Sequence, residues 1–485
     1  MSSLFEGLKP SLLWKHFEQI LKIPHCSGNE KALGDYIISV AKDRNLAWER
    51  DKVGNVVTKK KASSGHEKAD TIILQGHIDM VGEKNSDVEH DFNKDAIKAE
   101  IKGEWIQAIG TTLGSDNGIG LAASLAVMED DSLEHGPLEF LFTVDEETGL
   151  TGATKIESDF LKGRKILNLD SEDEGAFTIG CAGGADSEIT LSLKRKKSKG
   201  GEPYRLKIFG LRGGHSGIDI DQGRGNAVKL LARMLWQAMN EFQFGFVRME
   251  GGNKRNAIAR EAWADLLLNP AQGQGLSSFF QKAFDKIQFE YKAVEKDANF
   301  SFEKSDKQKE DPLTPESQKD LINLIFTLPH GVIAMHPEME NLVETSTNLA
   351  IINTHKDKAQ IICSSRSSVA SALEAVRNSI AASSELVGAK VAQPEGYPAW
   401  TPNLESPLLK TLKEVYQKMF QKEPKVEAIH AGLECGIIGE KFPGMDMISF
   451  GPTIEHPHSP EERVHTGSVE KFWEFLTGLL ADLAK

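Results

Sequence analysis

Cysteine is scarce: Cys26, Cys181, Cys363 and Cys435 are the four in 485 residues, they lie far apart, and none forms a CxxC pair. That spacing argues against a disulfide framework or a structural zinc ribbon. Long apolar runs are missing too. No stretch approaches the roughly 18 apolar residues that a membrane span needs, and the start, MSSLFEGLKPSLLWKHFEQ, is amphipathic without an apolar core of signal-peptide type. A cytoplasmic location with no membrane partner is the default expectation. Positive charge is in deficit, with 57 Lys and Arg against 71 Asp and Glu and a formal charge of -14. This balance argues against nucleic acid as a partner, because phosphate binding requires a basic surface. Several enzyme signatures are also absent: there is no P-loop, no complete GxGxxG, no HExxH and no GxSxG.

What is present is a globular composition, 40% hydrophobic and 26% charged, on a chain long enough to predict two domains. Short apolar runs recur at TIILQ (71–75), LEFLFTV (138–144), KILNL (165–169) and MDMISF (445–450), with helical patterns such as GIGLAASLAVMED (118–130) between them. That alternation predicts a largely parallel sheet covered on both faces. SGNE (27–30) matches a capping box and predicts a helix through about residue 43. After CAGGAD (181–186) the pattern becomes antiparallel strands mixed with helices, including a hairpin over 341–368, and the parallel pattern resumes after PEGYPAWTPN (394–403). The expected organisation is a discontinuous catalytic domain, 1–184 and 398–485, with an α+β domain inserted over 185–397.

The chemistry concentrates where the apolar runs end. TVDEETGL (143–150) places Asp145, Glu146 and Glu147 side by side, and three adjacent carboxylates repel unless something positive receives them. In a continued strand Glu146 and Glu147 would face opposite ways, so the chain is expected to leave the extended conformation there. QGHIDMV (75–81) puts His77 and Asp79 on one face of a strand end, where the carboxylate could hold the second ring nitrogen of a ligating imidazole. A solvent-facing turn is the bland alternative. Asp116 and Asn117 stand at the mouth of a small-residue helix, where Asp is a common N-cap and could also bridge two cations. Asp170 follows KILNL, and His456, His458 and His465 follow the apolar strand near the C-terminus. In open parallel sheets ligands bind beyond the carboxyl ends of the strands, so His77, the Asp145, Glu146 and Glu147 cluster, Asp170 and the histidines at 456 and 458 would converge on one crevice. Mixed His and carboxylate ligands without thiolate suit Zn²⁺, with Mn²⁺ or Co²⁺ as alternatives. Two such cations sharing a carboxylate could activate a water as hydroxide. Cys435, in HAGLECG, reads as a buried small residue rather than a nucleophile.

Taken together, GHIDMV, GTTLGSDNGIGLA, TVDEETGLTGA, LNLDSEDEG, GGHSG, NAI, IHAGLECG and GPTIEHPHSP occur in this order and resemble the M20 metallopeptidases, above all their bacterial cytosolic aminoacyl-histidine dipeptidase branch. The resemblance implies an α/β di-metal peptidase catalytic domain with a mostly parallel central sheet and an inserted α+β lid and dimerisation domain. It implies that His77 and Asp170 hold one divalent ion, that Glu147 and His458 hold the other, and that Asp116 bridges them. Asp79 would orient His77, and Glu146 would be the general base. His215 in GGHSG matches a lid histidine that polarises the scissile carbonyl, Asn256 a lid residue at the carbonyl, and Arg366 a group for the substrate carboxylate. The implied reaction is hydrolysis of dipeptides, Xaa-His and other unblocked ones, by a homodimer. Deacylation of N-acyl amino acids or tripeptide cleavage are the alternatives within the family, and an inactive metal- or peptide-binding homologue is the alternative from another class. Asp145 has no implied role.

Overall fold

The computed structural model describes residues 4–198, 200–305 and 310–485. The chain divides into two compact units, one of Met1–Gly180, Pro402–Ala428 and Leu433–Lys485, the other of Cys181–Thr401 and Ile429–Gly432. The sequence pattern puts the divisions at 184/185 and 397/398, and the return of 429–432 to the second unit carries no compositional signal. Among the described residues no helix is long and apolar enough to cross a membrane.

The first unit is built on an eight-stranded sheet. Its centre is four parallel strands in the order Leu138–Thr143, Ile72–His77, Lys165–Asn168 and Asp446–Ser449. All six residues of Ile72–His77 and of Leu138–Thr143 are buried, which explains why these runs are apolar without alternation. The edges differ from the expected parallel arrangement. Ala47–Arg50 and Val56–Lys60 form an antiparallel pair beside Leu138–Thr143, and Ala176–Cys181 runs antiparallel to Asp446–Ser449, so the sheet is mixed around a parallel centre. In register, His77 lies opposite Thr143, Gln75 opposite Asn168, and Asn168 opposite Ser449. The carboxyl ends of the four central strands therefore stop at nearly one level.

The helix Ser115–Glu129 packs by its small residues. A Cβ at Gly120 would stand 2.4 Å from the Leu169 carbonyl oxygen, and one at Gly118 would stand 3.0 Å from the Phe17 ring. Only glycine allows that close an approach. Helix Lys31–Asp43 begins later than the SGNE motif suggests, because Ser27 Oγ donates to Asp79 at 2.7 Å instead of capping the helix, while Glu30 accepts from Gly28 N at 2.8 Å.

Among the described residues the second unit is a nine-stranded antiparallel sheet with four α-helices, Ala227–Met239, Gly273–Tyr291, Pro315–Thr327 and Ala370–Glu385. Its main core is a cluster that includes Leu231, Met234 and Leu235 of the first helix with Phe246, Leu266, Leu321 and Ile352. The expected hairpin consists of Val343–Thr354 and Lys358–Ser367.

Candidate metal centre

Four chain segments leave the parallel centre of the first unit at their carboxyl ends and carry the ionisable groups. His77 closes its strand, fully buried, with Nε2 3.2 Å from Asp116 Oδ1 and 3.2 Å from Asp170 Oδ1. The other oxygen of Asp116 lies 3.2 Å from His458 Nε2, which is also 3.1 Å from Glu147 Oε2. Two triads result, His77 with Asp116 and Asp170, and His458 with Asp116 and Glu147, and the ligand atoms within each lie within 4.8 Å of one another. Asp116 belongs to both. Glu146 joins His77 and Glu147 in a third such group.

The backbone departs from regular geometry where these groups meet. Asp145 takes φ +53° and His458 φ +60°, and the Asp116–Asn117 peptide is cis. A non-glycine residue at positive φ is uncommon. The strand ending at Thr143 gives way to a short helix, Glu146–Gly149, so Glu146 and Glu147 need not face opposite ways. Asp145 gains a role here: one of its oxygens accepts from Thr148 Oγ1 and the other from Thr151 Oγ1, which locks the turn.

Asp79 acts differently from the simple expectation. His77 Nδ1 is 3.0 Å from the Asp79 backbone oxygen and 3.5 Å from its carboxylate, so the main chain makes the closer contact. The carboxylate accepts instead from Ser27 Oγ, from Glu146 N at 3.0 Å and from Glu147 N at 3.2 Å. It thus fixes both the imidazole and the turn that bears the two glutamates.

The expectation that Asp116 caps its helix is not met. The residue before the helix is Gly114, without a side-chain cap, and Asp116 itself has non-helical φ and ψ. The free backbone donors are received by Glu462, which the sequence pattern did not single out. Its buried carboxylate accepts from Leu113 N at 2.7 Å, Gly114 N at 3.0 Å, Ser115 N at 2.7 Å and Ser115 Oγ at 2.6 Å. The acid leaves Asp116 unencumbered to face the two histidines. Removing it strands several buried donors, each worth about 1–3 kcal/mol. Glu462→Ala is therefore expected to lower unfolding stability by roughly 3 kcal/mol and to weaken cation binding, as urea unfolding and cation titration would register; Glu462→Gln should fall between.

A second buried acid escaped notice. Glu434 accepts from Gln75 Nε2 at 2.7 Å and from Thr143 Oγ1 at 2.6 Å, and Gln75 in turn accepts from Asn168 Nδ2 at 2.5 Å. It ties three strands together just below their ligand-bearing ends. Burial pushes its carboxyl up to about 7, with the charges of Asp170 and Asp79 adding to the effect. Its signal was present in IHAGLECG, where Cys435, which is buried, drew the attention instead.

Electrostatically the cluster is short of positive charge. Burial raises the Glu146 carboxyl well above its ordinary range, helped by Asp170, Glu434 and Glu147, and burial likewise lifts Asp170 to about 6. Burial opposes protonation of His77, yet the charge of Asp170 and hydrogen bonds to Asp116 and Asp170 hold it well above the usual imidazole range. Hydrogen bonds to Asp116 and Glu147 raise His458 to about 11. Among the described residues no lysine or arginine ion-pairs with Asp116, Glu146, Glu147 or Asp170, and Glu147 Oε1 is buried without a hydrogen-bond partner. The residues fit a divalent cation. Tetrahedral ligation at about 2.1 Å separates ligand atoms by roughly 3.4 Å, close to the 3.1–3.2 Å spacings found here.

The other histidines do not join the cluster. His456 is exposed, and His465 Nδ1 accepts from Ser468 N at 3.1 Å as the N-cap of helix Thr466–Leu483. The remaining three sequence candidates belong to the second unit. His215 Nδ1 accepts backbone N–H groups from Gly217 at 3.2 Å and Ile218 at 3.1 Å, which leaves its Nε2 as the protonated nitrogen. Asn256 is exposed and, with His215, lines a cavity of about 850 Å³. Arg366 is 8% exposed, donates to Tyr397 Oη at 2.8 Å, and has no carboxylate partner among the described residues; its Nε is buried without any partner.

A mixed sheet whose parallel strands deliver His and carboxylate ligands to one edge is the framework of a metal-dependent hydrolase. The chain belongs to peptidase family M20/M25/M40, whose sequence profile matches residues 73–482. It is 40% identical over 484 residues, 100% of this chain and 99% of the relative, to the cytosol non-specific dipeptidase of Escherichia coli (strain K12). The crystal structure of aminoacylhistidine dipeptidase from Vibrio alginolyticus is also 40% identical, with a TM-score of 0.91 over 99% of this chain and 98% of that one. Aminopeptidase PepT from Bacillus cereus, at 15% identity, a TM-score of 0.58 and coverage of 99% and 100%, shares the fold.

Proposed function

We propose that this chain is a cytoplasmic metallo-dipeptidase that hydrolyses Xaa-His and other unblocked dipeptides with two divalent ions, zinc by preference, with manganese or cobalt as substitutes. The observation that carries the reading is the sharing of Asp116 between two His–carboxylate triads, with Glu146 beside them. The full-length likeness to two dipeptidases supports the choice of substrate. His77, Asp170 and Asp116 would hold one ion, and Glu147, His458 and Asp116 the other. Bound there, such ions would supply Lewis acidity and lower the pKa of a water toward roughly 7.

The protein's own groups do the rest. Glu146 accepts a proton from the attacking water as the water oxygen bonds to the peptide carbon, then hands that proton to the nitrogen as the C–N bond breaks. Burial, with Asp170, Glu434 and Glu147 nearby, raises its affinity for a proton, which is the direction a proton-accepting group requires. Asp79 holds the His77 ring and the Glu146–Glu147 turn in place. From the second unit, His215 donates its Nε2 proton toward the carbonyl oxygen, with Asn256 as a further donor, and Arg366 receives the C-terminal carboxylate. A buried guanidinium with no acidic partner is what such a carboxylate requires. In this reading the second unit serves as lid and as the contact of a homodimer.

The deciding experiment is a panel assay on metal-stripped protein with defined metals restored. Unblocked dipeptides, Ala-His among them, are expected to be cleaved faster than tripeptides or N-acyl amino acids. A preference for N-acyl amino acids would replace the reading with a deacylase, and binding without turnover would make the chain an inactive homologue.

A further inference from the structure

Arg366 stands in a row of side chains that crosses three strands of the second unit. Its neighbour in register on one side is Ser346, whose Oγ lies 2.7 Å from His430 Nε2. On the other side is Gly184, and beyond that Tyr397, which pairs with Gly184 through N–H···O bonds of 3.0 and 2.9 Å. Gly184 lies between the arginine and the tyrosine and has no side chain. That absence is what lets the phenol reach across, because a Cβ at Gly184 would stand 2.4 Å from Tyr397 Oη. Gly432 shields the other flank of the ring, where a Cβ would stand 2.7 Å from Tyr397 Cε2.

The result is a phenol held against a guanidinium. Tyr397 Oη accepts from Arg366 at 2.8 Å, and among the described residues its own hydrogen has no acceptor. Burial pushes the phenol's ionisation above its ordinary range, with Arg366 opposing, so the hydroxyl keeps its proton at neutral pH. Tyr397 is half-buried, whereas Arg366 is nearly inaccessible, so the tyrosine is the more exposed member of the pair.

We propose that Tyr397 is the second half of a carboxylate clamp: its oxygen orients the Arg366 guanidinium and its proton is donated to the C-terminal carboxylate of the dipeptide. The assignment rests on the reading of Arg366 as the carboxylate-binding group. It makes Tyr397 a specificity-determining residue that selects free C-termini over blocked ones. A phenol donor offers one directional bond and, unlike an ammonium or a second guanidinium, adds no charge to a site that must release a carboxylate product.

The test uses zinc-loaded full-length protein with Ala-His and its C-terminal amide as substrates. For each variant the readout is the ratio of kcat/KM for the free peptide to that for the amide, with melting temperature as the check on folding. Arg366→Met is expected to collapse the ratio toward one. Tyr397→Phe keeps the ring in its glycine-lined slot and is expected to lower the ratio roughly tenfold, the size of one hydrogen bond to a charged group, with the loss falling on KM for the free peptide. If Arg366→Met collapses the ratio but Tyr397→Phe leaves it at the wild-type value, the clamp assignment is overturned and the Arg366 reading stands. If Arg366→Met keeps the wild-type ratio, the Arg366 reading fails and the clamp fails with it.

Discussion

Glu146→Gln is expected to retain two bound cations per chain and to lose turnover by about 10²- to 10⁴-fold, the usual contribution of a positioned general base. The amide matches the carboxyl in size but cannot accept a proton from water. Its effect should be confined to that step for two reasons. The bond that fixes residue 146 to Asp79 comes from the backbone N–H and survives the substitution. Neither of the triads that share Asp116 includes Glu146. Elemental analysis for bound metal and a kcat measurement on the same preparation separate the outcomes. Substantial residual hydrolysis would remove Glu146 as the base, and loss of a cation would make it a ligand.

Asp116→Ala is expected to be the most severe change, abolishing detectable hydrolysis through loss of both cations. Its two oxygens face different histidines, each at 3.2 Å, so its removal takes a ligand from both triads at once. Asp170→Ala should differ in kind, because Asp170 occurs only in the triad with His77. Metal stoichiometry would then fall toward one rather than toward zero. Chelation of the wild-type protein should reproduce the null activity, and restored Zn²⁺ or Mn²⁺ should rescue the wild type but not Asp116→Ala. A fully active Asp116→Ala protein, or a wild type indifferent to chelators, would rule out the two-cation scheme.

The cluster could be located in the sequence because buried parallel strands are almost wholly apolar, and an acid or imidazole placed directly after one stands out. His77, Glu146, Glu147 and Asp170 each follow such a run within a few residues. The groups that hold these residues in place were hidden for a physical reason: their bonds span the chain. Glu462 lies 346 positions from the Asp116 N–H at the mouth of the helix it caps, and Glu434 lies 359 from Gln75. No local spacing encodes such pairs, and a glutamate in HSPEERVH looks like any surface acid. The choice among His456, His458 and His465 was hidden in another way. All three follow the same strand, and the path of the loop decides which imidazole turns toward Asp116. The antiparallel edges of the sheet escaped because strands such as Ala47–Arg50 are short and exposed and carry no apolar signature.

Asp79 receives one backbone N–H from Glu146 and one from Glu147. Mechanically, the proposed proton acceptor and the proposed cation holder then hang from one anchor, so a change at Asp79 reaches both. Drift at this position during evolution would degrade cation retention and chemical rate in the same stroke, so neither property can be adjusted through Asp79 independently of the other.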